Sequence, residues 1–157
     1  MNNLIFQPVI VMCLLSFIMM VWMYATRLPA AKKLQEDGID VQKFSHPSTI
    51  GGIFPSKVER VADNYNHLFE QPTVFYAICF IIWGLGNTDL PHLYCAWFYV
   101  IIRIIHSILQ ATLNLVWIRF SLFILSWATL AIMIFREAIY LISVSYTHLT
   151  LPTIYSV

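Results

Sequence analysis

The sequence predicts an all-α integral membrane protein, arranged as a four-helix up-and-down bundle. Hydrophobic residues make up 59% of the 157 residues and charged residues only 11%. In soluble domains, charged residues make up about 25%. The apolar residues fall into four long runs, and a run of about 20 residues is long enough to cross a hydrocarbon core of about 30 Å. Short turns between the later runs favour antiparallel neighbouring helices.

The first predicted helix covers about residues 4–26, an almost uninterrupted apolar sequence. Residues 27–55 are polar and rich in proline and glycine, which predicts a loop with at most one short helix near residues 30–36. Six of the nine lysines and arginines lie between positions 27 and 60. The positive-inside rule therefore predicts that the 27–56 loop is cytoplasmic.

The second predicted helix runs from Ser56 to about residue 85. Ser56 and Glu59 have the spacing of a capping box, in which each side chain bonds a free amide at the helix start. The first turns are amphipathic and the later residues are apolar. Pro72 has no backbone N–H, so we expect the helix to bend one turn beyond its polar residues.

The third and fourth helices are predicted over about residues 90–114 and 116–142. A turn at residues 84–89 precedes the third helix, and Pro91 is favourable in a first helical turn. With the 27–56 loop inside, we expect both termini and the 84–89 turn to lie outside.

The last segment, residues 143–157, is predicted not to be native. From Val144 the sequence loses helical periodicity and matches the peptide that a common sequencing adapter encodes when it is translated. We therefore interpret residues 143–157 as adapter read-through, with the native carboxy terminus missing. Sequencing the gene from genomic DNA tests this, because the same codons there would contradict it.

Two of the predicted helices carry polar side chains at the spacing that places them on one helix face. The second helix has Arg60, Asp63, His67, Glu70 and Gln71, and the third has Arg103, His106, Gln110 and Asn114. A charged side chain at membrane depth costs about 2.5–3.5 kcal/mol on insertion scales, so it normally faces a partner, water or a ligand. We expect the two stripes to face each other or a neighbouring subunit.

The charges of these stripes favour an anionic ligand. Arginines at membrane depth suit a carboxylate, which a guanidinium grips through two parallel hydrogen bonds. Glu70 would suit a ligand ammonium group, so an amphipathic peptide matches the stripes better than a simple lipid. An assembly role remains open, in which ion pairs such as Glu70 with Arg103 fix helix register and bind nothing.

Other kinds of site are less well supported. Possible metal ligands are Asp63, His67, Glu70 and His106. Di-iron bundles, however, use a Glu-x-x-His motif on each of two helices, and this chain has one motif in the reverse order, so we expect no metal. Ser107 follows His106 directly, and adjacent helical residues do not face each other. No basic patch interleaved with aromatic residues predicts binding to nucleic acid.

These residues resemble the MAPEG family, the membrane-associated proteins in eicosanoid and glutathione metabolism. The similarity covers about residues 5–140 and is carried by VERVADNYNHLFEQP at 58–72 and RIIHS at 103–107, followed by Arg119. The chain looks most like the short bacterial members of the family. The resemblance therefore implies a bacterial inner membrane.

The resemblance also implies a homotrimer that binds glutathione, a co-substrate, between helices of adjacent subunits. The glutathione-binding residues that it implies by position are Arg60, His67, Glu70, Arg103 and His106. Arg119 corresponds to the helix-four arginine that stabilises the glutathione thiolate, and it is the implied catalytic residue. Membrane lipid and a small lipophilic substrate are the other implied partners.

The chain departs from the family pattern at several of these positions. His67 stands where the family has asparagine, and Asp63 stands where an arginine is expected. Phe120 and Phe123 replace the hydroxyl residues that often follow the helix-four arginine. A thiol with a pKa of about 8.5 needs positive charge nearby to ionise near neutral pH, and Asp63 opposes that.

The leading hypothesis is a glutathione-dependent transferase or peroxidase that acts on lipophilic electrophiles. The alternative is a non-enzymatic binding or scaffold protein of the same fold, which uses the intramembrane cleft for a lipid or a partner. An Arg119→Ala variant separates the two, because loss of conjugation in an intact oligomer favours the enzyme.

Overall fold

The structure is a computed structural model that describes residues 2–40, 42 and 52–149. All the regular elements in these residues are helical. A short 3₁₀ helix, Asn2–Ile5, leads into α1. The α-helices are α1 (Phe6–Glu36), α2 (Ser56–His67), α3 (Gln71–Gly84), α4 (Leu90–Thr112) and α5 (Val116–Leu149). The prediction of an all-α chain is therefore confirmed for the described residues.

Helix α1 is longer than the sequence predicted. It continues through Pro29 to Glu36, so the prediction of a separate short helix near residues 30–36 is wrong. Proline removes a single hydrogen bond, and the good helix formers Ala30 and Ala31 continue the helix beyond it. Residues 41 and 43–51 of the predicted loop lie outside the described residues.

The second predicted helix is divided in two, which corrects the prediction of one helix from 56 to 85. α2 ends at His67 and α3 begins at Gln71. Pro72 lies in the first turn of α3, where proline is favourable. Because Pro72 has no N–H, the carbonyl of Leu68 lacks its helical donor. The chain therefore breaks at residues 68–70, before the proline, instead of bending beyond it.

Helix α2 begins at Ser56 as predicted, but the predicted capping box does not form. The N-cap residue Pro55 makes no side-chain cap bond. Instead, the Oε1 atom of Glu59 accepts from the amide of Gly52 across 2.7 Å, and the Oγ atom of Ser56 accepts from Arg60 Nε across 3.1 Å. The chain before α2 brings the Gly52 amide to Glu59, which leaves Ser56 free for Arg60.

Helices α4 and α5 begin where the sequence predicted, at Leu90 and Val116. Asp89 caps α4 by accepting from the His92 amide across 2.9 Å. α4 ends at Thr112, two residues early, because Asn114 takes a left-handed conformation with φ 53°, which asparagine tolerates at helix ends. α5 continues to Leu149, beyond the predicted end at 142. The interpretation of residues 143–157 as read-through stays a prediction.

Contacts between distant residues show that the bundle has the predicted up-and-down arrangement. Trp83 near the end of α3 donates to Asn3, before the start of α1, across 3.1 Å. Arg60 in α2 donates to the Thr112 carbonyl at the end of α4 across 2.7 Å. A turn of three residues, 113–115, joins α4 to α5. These contacts place residues 52–70 and 103–119 at the same end of the bundle.

Within the residues that the structure describes, three helical stretches are long and apolar enough to cross a membrane. They are Asn2–Glu36, Leu90–Thr112 and Val116–Val144. The predicted second span does not qualify, because its residues are shared between α2 with 12 residues and α3 with 14.

Candidate functional site

Arg103 lies in the interior of the bundle. Its side chain is on α4 and is 1% exposed. Its Nη1 atom donates to Gln71 Oε1 across 3.3 Å, and its Nη2 atom donates to the His67 carbonyl across 3.3 Å. Among the described residues, no carboxylate lies within ion-pair distance of Arg103. The guanidinium is therefore buried with two neutral acceptors and no counter-ion.

His67 and Glu70 lie on the two sides of the break between α2 and α3. His67 Nδ1 and Glu70 Oε2 are 2.9 Å apart, and the side chains are 38% and 62% exposed. Glu70 acts electrostatically on Arg103, but its partner among the described side chains is His67. The Glu70–Arg103 ion pair considered from the sequence does not form there. The break presents a carboxylate and an imidazole at the protein surface above a buried cation.

His106 brings the predicted residues of α4 and α5 together. It lies one turn beyond Arg103 and is 4% exposed. Arg103, Arg119 and His67 all lie close enough to act on its charge. Arg119 is half-buried, and its guanidinium donates to Asn114 Oδ1 in the turn between α4 and α5. Together with Glu70, which contacts His67, five of the six predicted site residues thus share one region.

Arg60 has a partner of a different kind. It donates to the carbonyl of Thr112, where the α4 dipole favours a positive charge. Two turns of α2, or about 10 Å of helix, separate it from His67. Asp63 lies on the exposed surface between them. Arg60 therefore lies at the edge of the region, and part of its donor capacity is already used within the chain.

Many buried polar atoms in this region have no hydrogen-bond partner in the protein. Among the described residues they belong to Asn64, Gln71, Tyr99, Arg103, His106, Ser107, Gln110 and Arg119. Native proteins satisfy nearly all such groups with protein, water or ligand atoms. The eight side chains come from four helices, so the polar region extends through the interior of the bundle and can accept polar groups of a ligand.

Sequence reasoning placed Gln71 on the polar stripe but missed its contacts with Arg103 and with Ser126. Gln71 Oε1 also accepts from Ser126 Oγ across 2.9 Å, and both residues are buried. Ser126 lies in the apolar sequence of α5, and nothing in that sequence distinguished its hydroxyl from that of Thr129. Asn64 is 0% exposed and lies one turn before His67 on the same face of α2, but the predicted stripe did not include it.

A second polar cluster lies at the opposite end of the bundle and was also missed. Buried His92 lies between two carboxylates: Nδ1 is 2.8 Å from Asp89 Oδ1, and Nε2 is 3.4 Å from Glu137 Oε1. Arg136 bonds Asp89, and Asn87 donates to Glu137 across 3.1 Å. These residues line a cleft of about 510 Å³. The pair Arg136–Glu137 inside a long apolar run was the signal in the sequence.

The residues described by the structure contain no group of three or more histidine, cysteine, aspartate or glutamate side chains that could hold a metal ion. The chemistry available at the break is instead that of cations, one carboxylate and unpaired donors. Such a set suits an organic ligand with charged and amide groups.

The fold and this region define the chain as an α-helical integral membrane protein with ionisable groups at membrane depth. The sequence model of the MAPEG family matches residues 5–139, and the chain belongs to that family. This confirms the resemblance inferred from the polar stripes. No curated protein and no solved structure is similar enough to the chain to count as a match.

Proposed function

We propose that this protein is a membrane-embedded, glutathione-dependent transferase or peroxidase acting on lipophilic electrophiles. The observation that supports it most strongly is Arg103, a buried guanidinium without a carboxylate partner among the described residues. A buried charge without a counter-ion is costly, so an anionic ligand accounts for it better than a structural role. Glutathione transferases and peroxidases occur in the MAPEG family.

Glutathione has the groups that this region can bind. Its carboxylates suit Arg60 and Arg103, and its ammonium group suits Glu70. Arg103 would act on the ligand through the break at residues 68–70, because its guanidinium is buried just behind the His67 carbonyl. His67 and His106 supply further polar contacts. The proposal thus keeps every binding residue implied by the resemblance. Arg103 lies deeper in the bundle than a ligand bound at the surface would.

A homotrimer is part of the proposal. His67 and Glu70 are 38% and 62% exposed in the single chain, although charged side chains on a lipid-facing surface are costly. A neighbouring subunit that covers the break would remove them from lipid and enclose the peptide. We place the 27–56 loop on the cytoplasmic side of a bacterial inner membrane, where glutathione would enter.

In the proposed transferase reaction, Arg119 stabilises the glutathione thiolate. Its buried Nε atom has no hydrogen-bond partner among the residues described, so this donor remains available to a thiolate. The thiolate attacks the electrophilic carbon, a carbon–sulfur bond forms, and the leaving group departs with its electron pair. Phe123, which is partly buried four residues beyond Arg119 on the same face of α5, offers an apolar surface for the electrophile.

Titration calorimetry of the purified protein in nanodiscs with glutathione tests the binding half of the proposal. We expect saturable heat with the wild type and weaker binding with Glu70→Ala and Arg103→Ala. Glu59→Ala is the matched control, because this carboxylate lies in the first turn of α2, before the break, and bonds the Gly52 amide. Absence of heat and of any thermal shift with millimolar glutathione would refute the proposal.

A binding or scaffold protein is the second candidate. It is favoured by the bond that engages Arg119 with Asn114 and by phenylalanines in place of the usual hydroxyl residues. Conjugation of glutathione to an aryl halide, followed by absorbance, separates the candidates. Loss of conjugation in Arg119→Ala with retained glutathione binding supports the enzyme. Binding without any conjugation by the wild type supports the second candidate.

A further inference from the structure

Gln71 joins three helices through one amide oxygen. Its Oε1 atom accepts from Arg103 Nη1 of α4 across 3.3 Å and from Ser126 Oγ of α5 across 2.9 Å. Gln71 is 3% exposed and is the first residue of α3. Since Arg103 also bonds the His67 carbonyl at the end of α2, a buried chain of hydrogen bonds crosses the break from α5 to α2.

The positive charge of Arg103 fixes the orientation of this amide. A guanidinium has only donors, so it requires the oxygen and not the nitrogen of the amide. The Ser126 hydroxyl then has two acceptors, Gln71 Oε1 and the Phe123 carbonyl at 2.8 Å, and its single hydrogen is shared. The amide nitrogen of Gln71 is buried without a protein partner. Gln71 thus keeps its bond to Arg103, although its own amide nitrogen is left without a hydrogen-bond partner.

A carboxylate at this position would satisfy Arg103 better than an amide does. It would supply the missing counter-ion and offset the cost of the buried charge. It would also cancel the charge that an anionic ligand would otherwise meet at the break. The neutral amide accepts the hydrogen bond and leaves the charge in place.

We propose that Gln71 is a positioning residue that holds Arg103 beside the break without neutralising it, so that the guanidinium charge remains available to an anionic ligand. The ligand part of this inference rests on the proposed glutathione site. The structural part, the coupling of Gln71 to Arg103, does not.

The substitution Q71E tests the ligand part. It keeps the acceptor and adds a negative charge, so we expect unchanged or higher thermal stability. Glutathione affinity should fall by about tenfold or more, the size of a hydrogen bond to a charged group. If Gln71 had only a structural role, the glutathione affinity of Q71E would change in the same direction as its thermal stability. Glutathione binding by Q71E as tight as the wild type would overturn the inference.

The variant S126A provides a second comparison if Q71E does not fold. Loss of the Ser126 hydroxyl frees the Gln71 amide, so glutathione affinity should fall by a smaller factor than in Q71E. The matched control is T129V, because Thr129 is equally buried one turn further along α5 and bonds the Leu125 carbonyl of its own helix. Equal affinity in S126A and T129V would count against the inference.

A double-mutant cycle without ligand tests the structural part. Q71L should lower the thermal midpoint in the wild-type background, where Arg103 loses an acceptor, and lower it less in the R103M background. Equal effects in both backgrounds would overturn the inference. If the wild type binds no glutathione, the proposed function fails, and this cycle alone decides whether Gln71 holds Arg103.

Discussion

The Nη2 atom of Arg103 donates to the main-chain carbonyl of His67 across 3.3 Å, at the residue where α2 ends. In a continuous helix that carbonyl would accept from the amide of Gln71. Here the chain turns at residues 68–70, and the carbonyl accepts instead from the Glu70 amide across 3.4 Å and from the buried arginine. The same side chain therefore supports the backbone of the break and lies behind the exposed His67–Glu70 pair.

Replacing the buried charge is predicted to separate function from stability. Arg103→Met keeps much of the side-chain volume and removes a charge without a counter-ion. Removal of the uncompensated buried charge is favourable, and it offsets the loss of the hydrogen bonds to Gln71 and the His67 carbonyl. We therefore expect a small change in the thermal midpoint in detergent, with loss of glutathione binding. A midpoint well below that of the wild type would show that Arg103 is mainly structural.

Replacing Pro72 by a residue that has a backbone N–H is predicted to join α2 and α3 into one helix. In Pro72→Ala, residue 72 gains an N–H that can donate to the Leu68 carbonyl. Helix α2 would then tend to continue into α3 and displace the His67–Glu70 pair. We expect slower hydrogen exchange of the peptide covering residues 66–74 and weaker glutathione binding. Unchanged exchange in that peptide would mean that the packing of the bundle, and not Pro72, sets the break.

Reversing the charge of Asp63 is predicted to strengthen the binding of an anion. Asp63 is exposed on α2 and stands where the resemblance implies an arginine. Asp63→Arg places a cation between Arg60 and His67, so glutathione affinity should rise, and the gain should shrink at high salt because exposed charges are screened. Asp63→Asn is the control and should give a smaller gain. Equal affinity of Asp63→Arg and the wild type would place the ligand elsewhere.

The cluster at the other end of the bundle is predicted to stabilise the fold. Glu137 is buried and contacts His92 and Asn87. Leaving a buried polar group without its partner costs about 1–3 kcal/mol, so Glu137→Ala, which removes the partner of both His92 and Asn87, should lower the thermal midpoint. Glu137→Gln retains an acceptor for Asn87 and should lower it less. Wild-type stability in Glu137→Ala would show that the pair contributes nothing.

Local spacing and composition were enough to predict the class of protein and much of the site. Apolar run length and the cost of charge at membrane depth predicted the all-α membrane fold, the starts of α2, α4 and α5, and the stripe through Arg103 and His106. Each of these depends on local spacing and composition, which a sequence displays directly. The MAPEG family followed from the same stripe residues.

The tertiary structure alone decided which polar groups meet. The sequence placed Glu70 and Arg103 on facing stripes, but the break turns Glu70 outward toward His67 and leaves Arg103 behind it with Gln71. Ser126 could not be connected to that contact from the sequence, because α5 is distant in the chain from α3. Which side chains bond across a bundle depends on how each helix is rotated and on how deep each residue lies in the bundle. Both change here because the Leu68 carbonyl loses its helical donor.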